Sequence, residues 1–486
     1  MRTGADYLKS LNDGRCVYID GERVADVASH PAFAGAAKTI AGLYDMIADP
    51  AHHMTFYSPK TGEPVYKAYM IPRTREEQAE KRVAMKKSAD ATYGLMGRSP
   101  DHIANFLAGF AGASEVFNEG GGRFAENVVN FYEYARDHHL FLTYTIVHPQ
   151  VDRSKPANQW ENPYLACGVL EERKDGIVIR GAQMLATSGA LTDYLFVSVI
   201  SPLHPGDEKY AISLVVPMNA RGLKLYVRRS YAVDKPSVYD YPLSTRFDET
   251  DALAVFEDVF VPWEHVFVYK NIELTNKQFF ATPAHIYGNV QAQIRLTSKL
   301  QFIAGLAKKV AETTGIIKLP PVQGRLGELV SRVSVHEGLV LAAEASGTQN
   351  DYGQFVPNPR YLYSAMALQP KLYHDILFLV RELTGGGMLQ VPSSYKDFLN
   401  PDTSHDIRRY IQSPGVPAEK RVQLFKLVWD LVGSEFAGRH HQYEMFYGGP
   451  PHVVKGQAFR NYGFEEADRL VETCLSSYSL EQNETF

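Results

Sequence analysis

The chain has 486 residues, 45% of them hydrophobic and 22% charged, a globular balance at a length that calls for roughly two to four domains. A net charge of −5 gives no electrostatic basis for nucleic acid or an anionic membrane as partner, and no apolar run approaches the roughly 20 residues that span a bilayer. The polar opening after Met1 does not read as a secretory leader, and the odd, scattered Cys16, Cys167 and Cys474 argue against a disulfide framework and for a reducing cytoplasm.

Up to about Leu140 the pattern is mainly helical. Arg73 to Met96 is rich in Glu, Lys, Ala and Arg and reads as a helix that Gly97 interrupts. Ser99-Pro100-Asp101 reads as a new start, with Ser99 as N-cap and Pro100 in the first turn. Asn127 to His138 is a further helix. From Phe141 to about Phe267 the period shortens. Leu140–Val147 reads as a buried strand, and Gly176–Arg180, Tyr194–Ile200, Tyr210–Val216, Leu223–Val227, Ala252–Phe256 and Val259–Val261 are β-rich runs separated by turn residues. From about Ile272 helices return. Leu296, Leu300, Ile303, Ala307 and Val310 share a face before Gly315, and Val322–Ser346, Tyr361–Leu383 and Ala418 to about Tyr447 follow as long helices of a bundle.

Common catalytic signatures are missing. Gly120-Gly121-Gly122-Arg123-Phe124-Ala125 formally fits a dinucleotide loop, but it follows no strand and lies in a helical stretch. Thr384-Gly385-Gly386-Gly387 ends a helix and lacks a phosphate-binding lysine. The 16 histidines form no His-Glu-x-x-His, the cysteines form no close pair, and the side chains of the adjacent pairs His52-His53, His138-His139 and His440-His441 diverge, so no metal site is expected.

Two stretches carry chemistry. Gly97-Arg98-Ser99-Pro100-Asp101-His102 puts an arginine at a helix mouth with a histidine about one turn on, a pair able to hold a phenol oxygen or a carboxylate. A plain cap with a surface arginine accounts for the same residue types. Beyond the strand ending at Val147, the loop His148–Ser154 offers Gln150, Asp152, Arg153 and Ser154 to a polar ring edge or a phosphate. An Arg153–Asp152 salt bridge is the ordinary reading of that pair, as a turn is of Thr187.

Both stretches resemble the oxygenase component of the 4-hydroxyphenylacetate 3-monooxygenase family. The likeness extends through Tyr7–Arg15, Asp20–Val24, His30–Phe33, Ala186–Thr192, Tyr239–Glu249, Val259–His265, Gly433–Arg439 and Tyr447–Gly449. One departure stands out. Where the family shows a tyrosine this chain has His102, and where it shows a histidine this chain has Tyr144. The resemblance implies an α+β, acyl-CoA dehydrogenase-like fold: an N-terminal helical domain (1–140), a middle flavin-binding β-barrel (141–268), and a C-terminal helical bundle (269–486) that serves oligomerisation and the flavin cleft. It implies hydroxylation of a phenol ortho to its hydroxyl through a flavin C4a-hydroperoxide, with O2 as co-substrate. Reduced FAD, in preference to FMN, would come from a separate NAD(P)H:flavin reductase, and the assembly would be a homotetramer. Carried over by position, Arg98 would stabilise a phenolate, His102 would act as base or hydrogen-bond partner because imidazole titrates near working pH, and Tyr144 would orient the ring. Gln150, Val151, Asp152, Arg153 and Thr187 would contact flavin, and Phe446, Tyr447, Gly448 and Gly449 would approach its nucleotide end. The competing readings are an acyl-CoA dehydrogenase proper, a dehydratase carrying an iron–sulfur cluster, and a catalytically degenerate flavin-binding homologue.

Overall fold

The computed structural model describes residues 1–235 and 237–479, so the last residues of the expected bundle, 480–486, lie outside the described part. Helices α1 (Gly4–Ser10), α2 (Ala34–Ala48), α3 (Arg75–Ala91), α4 (Asp101–Gly112) and α5 (Gly122–Asp137) come first. Between them lie the short antiparallel pairs β1 (Val17–Ile19) with β2 (Glu22–Arg23) and β3 (Thr55–Tyr57) with β4 (Pro64–Tyr66). Strands β5 (Leu142–Thr145), β6 (Gly168–Arg173), β7 (Gly176–Met184), β8 (Tyr194–Val197), β9 (Ile212–Pro217) and β10 (Leu223–Val227) follow. The helical turn α6 (Ser244–Phe247) then leads to β11 (Ala252–Pro262) and β12 (Val266–Tyr269). The remainder is helical: α7 (Ile272–Ala281), α8 (Ala284–Thr313), α9 (Pro320–Ala345), α10 (Pro359–Thr384), α11 (Pro401–Tyr410), α12 (Ala418–Val432), α13 (Glu435–Phe446), α14 (Pro451–Arg460) and α15 (Glu465–Leu475). The helix–strand–helix order is the expected one.

The expected barrel takes another form. The strands make two sheets, ordered β2-β1-β10-β11-β7-β6 and β12-β9-β8-β5, and an isolated bridge from Val147 to Met184 links them. Strand β6 ends the larger sheet with exposed Glu171, Glu172 and Arg173, charges that discourage a further strand. In the smaller sheet Ile212–Val216 of β9 is buried on both faces.

Helix α4 is the central element. Every residue from Asp101 to Phe110 is buried. Its Phe110 packs on Phe196 of β8 and Phe279 of α7. Two glycines allow its close contact with α8. A Cβ on Gly109 would meet the Ala284 backbone at 2.4 Å, and one on Gly288 would meet the Phe106 ring at 2.0 Å. A helix enclosed this completely must satisfy its polar side chains internally, and that requirement shapes the site.

Two helix ends differ from expectation. Helix α3 stops at Ala91, not near Met96, because Tyr93 and Gly94 take left-handed backbone and the Gly94 N–H caps the Ala89 carbonyl at 2.7 Å. The expected Ala418–Tyr447 helix breaks at Gly433–Ser434. There the Ser434 hydroxyl accepts the Ala437 N–H and starts α13 in a new direction.

Candidate active site

The loop from Gly94 to Pro100 delivers Arg98 to the mouth of α4. Ser99 does not cap the helix as expected; its hydroxyl donates to Asp101 at 2.5 Å. Arg98 is only 6% exposed. Its Nη1 donates to the Tyr443 hydroxyl and its Nη2 to the Tyr144 hydroxyl, each at 3.0 Å, and its Nε has no partner. Its guanidinium carbon stands 4.8, 5.7 and 5.2 Å from the ring centres of Tyr144, Tyr443 and Tyr447.

The other buried arginines show what is unusual here. Arg15 pairs with Asp13 at 2.8 Å, Arg136 with Asp137 at 2.7 Å and Arg295 with Glu444 at 2.7 Å. Among the described residues no carboxylate pairs with the Arg98 guanidinium. Glu249 accepts the Arg98 backbone N–H, but its other oxygen lies 3.0 Å from Arg439. Burial opposes the charge on Arg98, yet the phenols of Tyr144, Tyr443 and Tyr447 and the field of Glu249 outweigh it and hold the pKa above the usual value. Arg98 is therefore a buried cation with no carboxylate against its guanidinium among the described residues.

His102 is fully buried one turn into α4, with Nε2 3.3 Å from the Tyr447 hydroxyl. The Tyr447 hydroxyl donates to the Gly288 carbonyl at 3.4 Å. The His102 Nδ1 is buried without a partner. Burial first, then the charges of Arg98 and Arg295, push the His102 pKa well below 6.5. This corrects the expectation that the ring titrates near working pH: it is neutral there. Tyr144, on β5, sets its ring edge-on to His102 (5.3 Å) and Phe106 (5.8 Å).

Tyr443 was not anticipated, since nothing in the sequence joins it to an arginine 345 positions away. Its four-residue spacing from Tyr447, one turn on a single helix face, was the available signal. Tyr447, expected at the nucleotide end of a flavin, stands with its ring beside the Arg98 guanidinium. Burial raises the pKa of both phenols, Tyr447 strongly, so both stay neutral. Behind them lies a sealed ionic knot. Glu444 receives both Nη groups of Arg295 (2.7 and 2.8 Å), Lys299 (2.8 Å) and Gln369 (2.8 Å). Burial would raise the Glu444 pKa, but Arg295 and Lys299 pull it down to about 2.

Thr187 lies beside a second knot. Its hydroxyl donates to Asp251 at 2.6 Å, and Asp251 also pairs with Arg439 (2.8 Å) and Arg228 (2.9 Å). The neighbouring Ser188 hydroxyl is buried without a partner. Leu185 has left-handed backbone (φ 65°) yet leaves its side chain 52% exposed, which is uncommon for a bulky residue. The loop beyond β5 carries Gln150, Val151, Asp152 and Arg153 at the surface, with Val151 54% exposed. Asp152 binds Ser154 (2.6 Å) and lies 3.9 Å from Lys155, so its ion-pair partner is not Arg153. Phe446 is exposed, and Gly448 and Gly449 line a cavity of about 10 Å³, room for one water.

Arg98, with no carboxylate on its guanidinium and three tyrosines around it, is set between a β sheet and helices. The chain belongs to the 4-hydroxyphenylacetate 3-hydroxylase family: the model of its N-terminal part matches residues 3–268 and that of its C-terminal part residues 275–476. It is 34% identical to the 4-hydroxyphenylacetate 3-monooxygenase oxygenase component of Geobacillus sp. (strain PA-9), over 96% of this chain and 94% of that protein. It is 35% identical to the oxygenase component of 4-nitrophenol 2-monooxygenase from Rhodococcus sp., over 99% and 93%. Its structure superposes at a TM-score of 0.93 on the oxygenase component (HpaB) of 4-hydroxyphenylacetate 3-monooxygenase complexed with FAD and 4-hydroxyphenylacetate. That match has 34% identity and covers 98% of this chain and 99% of the other.

Proposed function

We propose that the chain is the oxygenase component of a two-component, reduced-flavin-dependent monooxygenase that hydroxylates a phenol ortho to its hydroxyl. The observation that carries this is Arg98, a buried cation whose polar partners are phenols and not carboxylates. An incoming phenol oxygen brings to Arg98 the negative partner that the described residues do not place on its guanidinium, and the field favours its phenolate. Electron density then rises at the ortho carbon, where an electrophilic oxygen attacks. Neutral His102 offers its Nδ1 lone pair to the phenol proton, and Tyr144 and Phe106 wall the ring.

The residues present fit a flavin. Exposed Leu185 and Val151 offer apolar surface to a flat ring, Ser188 supplies a buried hydroxyl without a partner, and the Thr187 oxygen, donating to Asp251, can still accept an N–H. Reduced FAD, in preference to FMN, supplies the oxygenating chemistry when bound, with O2 as co-substrate. We assign Gln150, Val151, Asp152, Arg153 and Thr187 to the flavin, with Phe446, Gly448 and Gly449 toward its nucleotide end, and move Tyr447 to the phenol site. We retain the division into 1–140, 141–268 and 269–486. The electron source is a separate NAD(P)H:flavin reductase acting through diffusing flavin. We place the enzyme in the cytoplasm as a homotetramer, whose contacts would cover the exposed Leu470, Val471 and Leu475 of α15. No helix of the described residues is long and apolar enough to cross a membrane.

The test is a panel of phenols offered with FAD, NADH and a generic flavin reductase, scored for catechol against hydrogen peroxide. Catechol from at least one phenol is expected; peroxide alone with every phenol would leave the chain a degenerate flavin binder.

A further inference from the structure

Both Nη groups of Arg98 already donate to phenol hydroxyls. Three tyrosine rings stand within 5.7 Å of its guanidinium carbon, two hydroxyls hold its Nη groups, and only 6% of the residue reaches solvent. A substrate phenol that takes the place of either hydroxyl on these Nη groups must displace the tyrosine that holds it.

The two hydroxyls are unequally held. Tyr443 is fixed. A Cβ on Gly97 would lie 2.2 Å from the Tyr443 hydroxyl oxygen, so the phenol already presses on that backbone. Two further guanidiniums, Arg439 and Arg295, cover its ring at 4.9 and 5.2 Å. The next residue, Glu444, is tied into the ionic knot that anchors α13 on α8. Tyr144 has no such hold. Its hydroxyl contacts Arg98, its ring meets His102 and Phe106 by their edges, and it is half-buried between the fully buried Thr143 and Thr145.

We infer that the Tyr144 phenol is a resident stand-in for the substrate: it caps Arg98 in the resting site and is displaced when a substrate phenol binds, whereas Tyr443 stays and positions the guanidinium. The inference rests on Arg98 being the phenol's partner. A resident ligand lowers apparent affinity by the fraction of molecules in which it has let go. Two substitutions that each delete one hydroxyl from the same guanidinium therefore act in opposite directions. Tyr144→Phe removes the competitor and tightens binding. Tyr443→Phe frees the guanidinium to shift and weakens it. Each effect is expected to be roughly two- to tenfold, the span of one modest hydrogen bond.

The probe is 4-nitrophenol, titrated into the full-length chain with and without oxidised FAD and followed by its phenolate absorbance. Circular dichroism and thermal unfolding confirm that each variant is folded, and Tyr144→Leu repeats the deletion should the phenylalanine variant be unstable. Tighter binding by Tyr144→Phe with weaker binding by Tyr443→Phe is the expected result. Unchanged or weaker binding by a folded Tyr144 variant overturns the inference, because Tyr144 would then be a permanent contact. No binding by the unmodified chain, at this or any other phenol of the panel, would instead count against the reading of the site itself.

Discussion

A guanidinium sealed from water costs several kcal/mol unless something compensates it. Carboxylates do so at Arg15, Arg136 and Arg295, and phenols do so at Arg98. That difference separates a structural arginine from one waiting for a ligand. The same cation decides what His102 can do. Buried, and with Arg98 and Arg295 nearby, the imidazole resists a second proton. We expect the ring-carbon NMR signal of His102 not to titrate as pH falls through 6.5. A His102 transition near 6.5 would restore it as a general base. The exchange of imidazole and phenol between positions 102 and 144, visible in the sequence against the family pattern, keeps one of each against Arg98.

At the scale of elements, the site depends on how α13 is aimed. The break at Gly433–Ser434 sends it across α8, and its Tyr443 and Tyr447 then face Arg98. The sequence offered one long helix there because Leu424–Leu431 and the residues around Phe436 keep one apolar rhythm. The capping by Ser434 is a local hydrogen bond that such periodicity does not register. The Arg98 motif, His102 and the strand bearing Tyr144 were legible, since each is short and local. Tyr443, Glu444 and Arg295 were not, since they acquire meaning only when three distant segments meet. Strand patterns give the faces of the β domain but not how its strands divide between two bridged sheets, which depends on edges such as the charged end of β6. Two predictions belong here. Gly97→Ala forces the Tyr443 hydroxyl off its seat and should lower kcat/KM by at least about tenfold, with a stability loss near the ~1 kcal/mol typical of point mutants. Glu444→Gln leaves Arg295 and Lys299 without their shared anion and should destabilise the fold by about 3–5 kcal/mol in urea unfolding. A neutral Glu444→Gln would show that the knot does not hold α13.

For the whole molecule, the buried histidines set an acid limit. His139, His285 and His336 are each pushed down to about 4, mainly by burial, and His102 and His440 lie well below 6.5 for the same first reason. Below 6.5 the unfolded chain takes up protons that the folded chain declines. Stability is thus intact above that value and falls as pH drops toward about 4. Thermal unfolding midpoints should decline steadily across that window, and a flat profile would contradict these assignments. At the same scale the chain needs a phenol, a flavin and an outside source of electrons to act together, and we propose that Arg98 holds the first of these. The most direct check compares the unmodified chain with Arg98→Ala, both supplied with reduced FAD, O2 and a phenol from the panel, counting catechol formed per flavin oxidised. The account predicts that catechol falls by about 100-fold or more in the variant while flavin oxidation continues and yields peroxide. Undiminished catechol from a folded Arg98→Ala chain would contradict it.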